Sequence, residues 1–372
     1  MKKNNISVII DCYGCATCTA ICPQNIIQLS QNQNGFYQPQ IINIDSCINC
    51  GLCIKVCSYV ETITVSNKSI EAYATWSKNI DIRNKASSGG TGYEIARSLL
   101  SDGYKIIGVR YNPIEHNAEH FIAKSESELN QTIGSKYIQS YSEKAFKLIT
   151  KGQKYLITGT PCQISSLRKY IKVKKMEDNI VLMDFFCHGV PSKLVFQKYL
   201  SELEPITGKA THVSWRDKQT GWHDSWVMKV EGQNNSYTKR RSQGDIFYKF
   251  FLGDFCFNKA CYKNCKFKNL SSAADIRIGD LWGTKYANNE KGVTGVLAFT
   301  PKGKEVLKKC NIEIIPESVE TITELQLKKH INKPYYYNFV MFLLRTPLKL
   351  KIIYRIIQCL RIGTILKYKL HL

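Results

Sequence analysis

Two periods of hydrophobic and polar positions alternate along the chain. Thr91 to Leu100 carries apolar residues at helical spacing, and Lys105 to Arg110 (KIIGVR) is a short apolar run that predicts a buried strand. Tyr155 to Thr158 predicts another strand, followed by the loop Gly159-Thr160-Pro161-Cys162 and a helix from Gln163 to Tyr170. Ile180 to Phe186 repeats the pattern, leading through the loop Cys187-His188-Gly189-Val190-Pro191 into a helix from Ser192 to Leu203, with Ser192 as its cap. Such strand-loop-helix units predict an α/β sheet with ligands at the C-terminal strand ends, and each of the two loops places a cysteine there. His212 to Arg216 and Ser225 to Val230 predict an antiparallel pair across Asp217 to Asp224, so the sheet is expected to be mixed (α+β). Thr294 to Phe299 predicts one more strand, and the polar stretch from Asn67 through Lys78 to Lys85 reads as a linker.

The tail has its own pattern. From Arg345 to Leu372 stand seven basic residues (Arg345, Lys349, Lys351, Arg355, Arg361, Lys367, Lys369) and no acidic one. On a helix Lys351, Arg355, Gln358 and Arg361 share a face opposite Ile352, Ile353, Ile356, Ile357 and Leu360, with Gly363 interrupting it. That amphipathic helix suits two placements: on an anionic membrane surface, or with its apolar face packed on the body.

The chain of 372 residues is 44% hydrophobic and 22% charged, which excludes disordered and low-complexity architectures. No apolar run approaches the ~18 residues of a membrane span, and the stretch Ile6 to Ile10 is cut off by Asp11. A cytoplasmic protein is expected, its membrane contact limited to peripheral attachment of the tail to the inner face. The expected domains are residues 1–65, a linker at 66–84, a body at 85–335 and the tail at 336–372.

Fifteen cysteines change the picture, because eight of them lie between Cys12 and Cys57. In a reducing compartment such a cluster reads as metal ligation. Cys12, Cys15, Cys18 and Cys22 form C-x2-C-x2-C-x3-C followed by Pro23, and Cys47, Cys50, Cys53 and Cys57 repeat it, each 35 residues after its counterpart. Three thiolates on a tight loop hold three corners of one cubane, while the fourth reaches across to the other. One 4Fe-4S cluster is therefore expected on Cys12, Cys15, Cys18 and Cys57, and a second on Cys47, Cys50, Cys53 and Cys22. Zinc sites normally use two C-x2-C knuckles instead. The expected architecture is an α/β body preceded by a bacterial-type 2x(4Fe-4S) ferredoxin-like domain.

Charge is distributed unevenly. Residues 1–65 balance Lys2, Lys3 and Lys55 against Asp11, Asp45 and Glu61, so the formal charge of +22 resides wholly in residues 66–372. Two clusters would make the N-terminal module negative beside a basic body, which favours electrostatic docking. The basic residues are dispersed, and neither a helix-turn-helix nor an aromatic-basic repeat is present, so nucleic acid is not expected as a partner.

Further chemistry lies downstream. Cys256-x4-Cys261-x3-Cys265 supplies three ligands, with Cys187 or Cys162 as the fourth; a third 4Fe-4S cluster is preferred, and zinc or unmetallated thiols are the alternatives. Cys310 and Cys359 stand alone and read as core or tail residues. Ser87-Ser88-Gly89-Gly90-Thr91-Gly92 opens the first helix and is the chain's best phosphate cradle, although Ser and Gly also begin ordinary helices. His188 and Cys162 are weak catalytic candidates, and His223 could also donate a proton.

These residues together resemble the coenzyme F420 hydrogenase/dehydrogenase beta subunit family of flavin and iron-sulfur oxidoreductases. The resemblance rests on Ser88-Gly89-Gly90, Gly134-Ser135-Lys136-Tyr137, Gly159-Thr160-Pro161-Cys162-Gln163, Cys187-His188-Gly189-Val190-Pro191-Ser192, Trp215-Arg216-Asp217-Lys218 with Gly221-Trp222, the downstream cysteines, and Gly279-Asp280-Leu281-Trp282-Gly283. It implies an FAD held by Ser88, Gly89 and Gly90, by the loop around Lys136, and by Thr160 and Pro161. It also favours Cys187, Cys256, Cys261 and Cys265 as ligands of a nearby 4Fe-4S cluster. Hydride chemistry moves two electrons and an iron-sulfur cube one, and a flavin converts between them. The expected function is a flavin-dependent iron-sulfur oxidoreductase passing electrons from a reduced donor, ferredoxin or a deazaflavin-type coenzyme, to an organic small-molecule substrate. The alternative is a non-catalytic electron-transfer subunit serving a redox partner protein.

Overall fold

The computed structural model describes residues 4–65, 69–263, 265–326 and 330–369, with side chains described as far as Arg361. Lys2, Lys3 and Asn67, and the side chains of Gly363, Lys367 and Lys369, lie outside the described residues.

The N-terminal module is built twice. Each cysteine run leads into a short helix, Thr17–Ile21 and Leu52–Lys55, and each helix is entered through a left-handed residue, Ala16 (φ 63°) and Gly51 (φ 72°). These two stand at matching places in the two cysteine runs, so the duplication extends to the backbone. Between the runs, β1 (Ile27–Gln31) and β2 (Tyr37–Ile41) pair antiparallel with Ile27 opposite Ile41. Ile27 and Leu29 point inward at a period of two and join Ile21, Val56 and the body's Ile164 and Leu167 in one core.

The body centres on a nine-stranded sheet. In chain order its strands are β3 (Glu71–Ser77), β4 (Lys105–Asn112), β5 (Asn117–Ala123), β6 (Ser140–Tyr141), β7 (Tyr155–Thr158) and β8 (Ile180–Phe185). A separate three-stranded sheet follows, of β9 (Ala210–Ser214), β10 (Val227–Gly232) and β11 (Ser236–Arg240). The large sheet is then completed by β12 (Ile276–Asp280), β13 (Thr294–Ala298) and β14 (Ile312–Glu317). Its order is β14-β3-β13-β12-β8-β7-β4-β5-β6, parallel from β12 through β8 and β7 to β4 and antiparallel in the joins from β12 to β14. The mixed α/β class is as expected, although the antiparallel strands that mix the sheet differ from those expected. The predicted pair near 212 and 230 exists as β9 and β10, with Val213 opposite Val230, but it forms its own sheet with β11.

The expected linker at 66–84 is not one. Its residues 71–77 form β3, hydrogen-bonded between β13 and β14, and Asn79 then caps the helix Ile80–Lys85 by accepting from the amides of Asp81 and Ile82. The strand escaped notice because its inward positions are filled by small or polar residues, Ala72, Ala74, Thr75 and Ser77, all buried.

The helix Pro161–Lys174 fixes module to body. It is buried almost throughout from Pro161 to Ile171, since Ile164, Leu167 and Ile171 face the sheet while Ser166 and Lys169 face the N-terminal module. Lys169 Nζ donates to the carbonyls of Cys57 and Glu61. It starts at Pro161, whose missing N–H costs nothing at a helix start, so Cys162 lies in the first turn of the helix, where a loop was expected.

The tail helix Leu350–Lys369 packs on the body, with Leu350, Ile353 and Ile357 fully buried against the helices Lys193–Thr207 and Ile246–Phe251. The apolar face proposed for a headgroup boundary is therefore largely covered, and of the two placements read from the sequence the packed one is observed. No described helix is long and apolar enough to cross a membrane.

Candidate iron-sulfur and flavin site

Three groups of cysteines converge in space. Cys12, Cys15, Cys18 and Cys57 line a cavity of about 50 Å³ together with Ile6, Ala16 and Val56. A second cavity, about 20 Å³, is lined by Cys22, Cys47, Cys50 and Cys53. Each draws three thiols from one run and one from the other, the crossed arrangement that the doubled spacing demands. Burial raises the Cys18 and Cys57 thiols, the neighbouring cysteines adding to the rise; iron would supply the positive charge that lets buried thiolates exist. The donor set, four thiols in each, fits the ligation of a cubane.

The third group comes from the body. Cys162, in the helix turn that follows β7, lies within electrostatic reach of Cys261 and Cys187, and Cys261 in turn within reach of Cys187 and Cys265. Burial pushes Cys187 up to about 11 and Cys261 up to about 12, while Lys268 and Arg277 act to lower Cys187. Lys268 Nζ donates to the carbonyls of Cys187 and His188 at 3.0 and 2.8 Å. The Arg277 guanidinium is clamped by Asp184 through two 2.7 Å bonds, with both side chains buried.

Cys256 is fully buried in an aromatic core among Phe250, Phe255, Phe257, Tyr262 and Tyr337, a core against which the half-buried Cys261 also packs. Beside the expected set of Cys187, Cys256, Cys261 and Cys265, the structure thus brings Cys162 forward as a neighbour of Cys187, Cys261 and Cys265. Cys162 is one of the two candidates for the fourth ligand, and its place beside these thiols favours that role over a catalytic one.

The three groups form a row. Cys53 lies within electrostatic reach of Cys18, and Cys15 within reach of Cys162. Tyr13 packs between the last two groups, against Cys162, Cys265 and Phe267, its ring centroid 5.4 Å from that of Tyr59. At the outer end Cys50 is exposed, as is Ile48 in the same cavity lining, and Ile42 and Ile44 of the same module are exposed as well.

Beside the inner end, the loops at the strand ends assemble a polar and aromatic pocket. Arg216, buried, donates to Asp280 Oδ2 at 2.9 Å and to the Tyr137 hydroxyl at 3.2 Å, and its guanidinium lies over the rings of Trp226 and Trp282. It also donates to the Ser87 carbonyl, tying the Ser-Gly segment to the loop 134–137, where the Ser135 amide donates to Ser87 Oγ. Tyr137 stacks on Trp226 at 5.3 Å. Sequence reasoning named Arg216 only within a motif and missed this tethering role, and the flanking tryptophans were the available signal.

The Ser-Gly segment itself is pinned internally. Ser88 Oγ donates to the Val293 carbonyl and the Gly89 amide to Thr294 Oγ1. A Cβ on Gly89 would stand 2.5 Å from the Thr75 carbonyl oxygen, so packing against β3 and β13 by itself requires this glycine. Gly90 (φ 86°) heads the helix Thr91–Ser101. Lys136 carries the charge an anion needs, but its three donors are spent on backbone carbonyls, so an anion would take the place of one of them. Its Nζ donates to the carbonyls of Gln131, Thr132 and Ile133 at 3.0 to 3.2 Å, no carboxylate pairs with it among the described residues, and burial lowers it to about 7. A Cβ on the neighbouring Gly134 would meet open space. The Thr160 amide donates to Gln163 Oε1 at 2.9 Å, shaping the turn that precedes Cys162. Nearby His120, not foreseen, is buried with its Nε2 3.0 Å from the Thr158 carbonyl, and burial lowers it to about 4. His188 Nε2 pairs with Asp254 Oδ1 at 2.7 Å, adjacent to the third cysteine group, and His223 pairs with Glu290 at the surface.

A mixed α/β body joined to a doubled cysteine module defines an iron-sulfur protein of the redox class. Residues 11–60 match the 4Fe-4S dicluster domain, and residues 152–323 match the family described as the C terminus of the coenzyme F420 hydrogenase/dehydrogenase beta subunit. Among curated proteins, the coenzyme F420-dependent sulfite reductase of Methanocaldococcus jannaschii is 24% identical over 354 residues, covering 88% of this chain and 51% of that protein. The chain thus spans about half the length of that relative. Among solved structures, a xenon-derivatised F420-reducing NiFe hydrogenase complex from Methanosarcina barkeri is similar at TM-score 0.48 and 17% identity, over 73% of this chain and 97% of that one.

Proposed function

We propose that the protein is a flavin-dependent iron-sulfur oxidoreductase that moves electrons between a reduced donor and an organic substrate. The observation that carries this reading is the row of cysteine groups from the exposed Cys50 to Cys187, whose neighbour His188 packs on Phe251 and so adjoins the cluster of Tyr137, Trp226 and Arg216. Cys12, Cys15, Cys18 and Cys57 would hold one 4Fe-4S cluster, Cys22, Cys47, Cys50 and Cys53 a second, and Cys162, Cys187, Cys261 and Cys265 a third. Lys136 would meet a phosphate or ring oxygen of FAD, with Ser88, Gly89, Gly90, Thr160 and Pro161 shaping the rest of the site. When bound, the clusters carry single electrons and the flavin exchanges them for a hydride pair. The chain's own residues shape the site: the buried Arg216, paired with Asp280, fixes its wall, and Tyr137 stacked on Trp226 adds an aromatic face.

The relative named as coenzyme F420-dependent supports a reduced deazaflavin as donor, with ferredoxin as the other candidate. One observation favours a second reading, a non-catalytic electron-transfer subunit: the chain matches only about half of that relative, so the acceptor chemistry of a larger assembly would sit on the remaining part. The deciding experiment is anaerobic purification followed by the visible spectrum, iron, sulfide and flavin content, and turnover with a reduced deazaflavin. Flavin at about one per chain with substrate turnover by the isolated chain supports the enzyme. Flavin-loaded protein that only passes electrons to a partner supports the subunit. Absence of flavin after reconstitution overturns the enzyme reading and leaves the electron-transfer subunit.

A further inference from the structure

The basic face of the tail helix lines a cavity. About 340 Å³ in volume, this cavity opens between the helices Lys193–Thr207, Ile246–Phe251 and Leu350–Lys369 and strand β11, and none of the cysteines or pocket loops described above lines it. Its size falls within the roughly 300–1,000 Å³ range of small-molecule sites.

Its chemistry is one-sided. Lys249, Lys351 and Arg355 converge on it, and among the described residues none of them pairs with a carboxylate. Glu202 is the one acidic residue in the lining, and its Oε1 is already engaged, accepting from the Leu350 amide at 2.6 Å where the tail helix begins. The remaining walls are aromatic. The Lys249 ammonium lies 5.1 Å from the centre of the Tyr354 ring, and the Tyr199 and Tyr237 rings meet edge to face at 6.4 Å. Tyr199 is fixed from behind by its 2.7 Å hydrogen bond to the buried Asp245. Lys351 and Arg355 are exposed and one helical turn apart, while Leu350, Ile353 and Ile357 anchor the same helix in the core. The cations are thus held on a packed element and project into the cavity instead of extending from a free tail.

We propose that this cavity binds a phosphorylated ring compound, its phosphate groups between Lys351, Arg355 and Lys249 and its ring against Tyr354 and Tyr237. Three cations against one committed carboxylate call for an anion of at least two charges, and planar aromatic walls call for a flat or cyclic body. A nucleotide and a phosphoinositide headgroup share this chemistry.

The test uses the full chain, purified anaerobically with its cofactors. ADP and pyrophosphate are titrated calorimetrically, and co-sedimentation is measured with phosphatidylcholine vesicles with and without phosphatidylinositol 4-phosphate. ADP is expected to bind saturably, the double variant Lys351→Gln/Arg355→Gln to weaken it about tenfold or more, and Tyr354→Leu to weaken ADP while sparing pyrophosphate. Vesicle binding that requires the phosphoinositide and is lost in the double variant, without ADP binding, identifies the headgroup as the source of the phosphate. The proposal is overturned if none of the probes binds, or if the double variant, with an unchanged cluster spectrum, binds them as the parent does.

Discussion

Cys15 Sγ and Ser166 Oγ stand 3.3 Å apart, although 151 residues of chain separate them. Ser166 also accepts from the Ser58 amide at 3.1 Å and donates to Ser58 Oγ at 2.8 Å, so one hydroxyl on the helix Pro161–Lys174 reaches both a thiol of the first cysteine group and the residue after Cys57. With Cys15 as a thiolate, the single hydroxyl proton of Ser166 turns from Ser58 Oγ to the sulfur. Hydrogen bonds to ligand sulfur stabilise the reduced, more negative cluster. Ser166→Ala should therefore make the potential of one N-terminal cluster more negative by about 20–60 mV, the one-electron equivalent of a bond of ~0.5–1.5 kcal/mol. Redox titration followed by electron paramagnetic resonance measures it, and an unchanged potential means that Ser166 serves only to pack the interface.

Metal content separates the two versions of the third group. Native protein should contain about twelve irons per chain, four for each of three cubes. Cys162→Ser should lower this to about eight while leaving the N-terminal pair, whereas Cys256→Ser should keep all twelve and cost only packing in the aromatic core. Iron loss in Cys256→Ser with none in Cys162→Ser would restore the ligand set expected from the sequence. Eight irons with stoichiometric zinc would identify the third group as a zinc site.

The reason the sequence pointed to Cys256 is physical. In the N-terminal runs ligand spacing and ligand geometry are the same thing, because a tight loop places all three thiols, and both sets of four could be read directly. The third group is assembled by topology: Cys162 and Cys187 follow the neighbouring parallel strands β7 and β8, and only Cys261 and Cys265 are local. Cys256 lies close in sequence to Cys261, yet Phe250, Phe255 and Phe257 carry it into the core. β3 was hidden for a related reason. Its place between β13 and β14 buries Ala72, Ala74, Thr75 and Ser77, residues whose composition does not signal a buried strand.

Flavin binding should depend on the charge of Lys136. Burial lowers this lysine to about 7 in the cofactor-free protein, below its value in the unfolded chain, so raising the pH from about 7 toward the ordinary lysine range relieves a penalty and stabilises the apoprotein. Binding an anion favours the charged form and must take up a proton above that point. FAD affinity should therefore fall as pH rises above about 7. Lys136→Ala should weaken FAD by roughly 1.5–3 kcal/mol at neutral pH and flatten this dependence. Flavin-release titrations from pH 6 to 9 check both, and an identical pH profile in the variant removes Lys136 from the site.

Asp184 and Arg277 form a bidentate ion pair with side chains 0% and 1% exposed, directly beneath the loop that carries Cys187. Removing one member strands a buried charge, because the other has no route to water. Asp184→Asn should destabilise the protein by about 3–5 kcal/mol in denaturant titrations, and Arg277→Met by a similar amount. A loss under 1 kcal/mol for both would mean that water reaches the pair.

Truncation after Thr346 tests the placement of the tail. The cut removes Leu350, Ile353 and Ile357, all 0% exposed, and uncovers the apolar surfaces of the helices Lys193–Thr207 and Ile246–Phe251. At ~1.5–3 kcal/mol for each buried aliphatic side chain, the loss is roughly 4–9 kcal/mol as an upper bound, comparable to the stability of a whole domain. The truncated chain should melt lower and aggregate, and adding anionic vesicles should not rescue it. Substituting Lys351 and Arg355, which leaves the three anchors in place, should leave the melting temperature within a degree or two. If the truncated chain melts like the full one, the burial of this helix contributes little, and its apolar face is free for another surface.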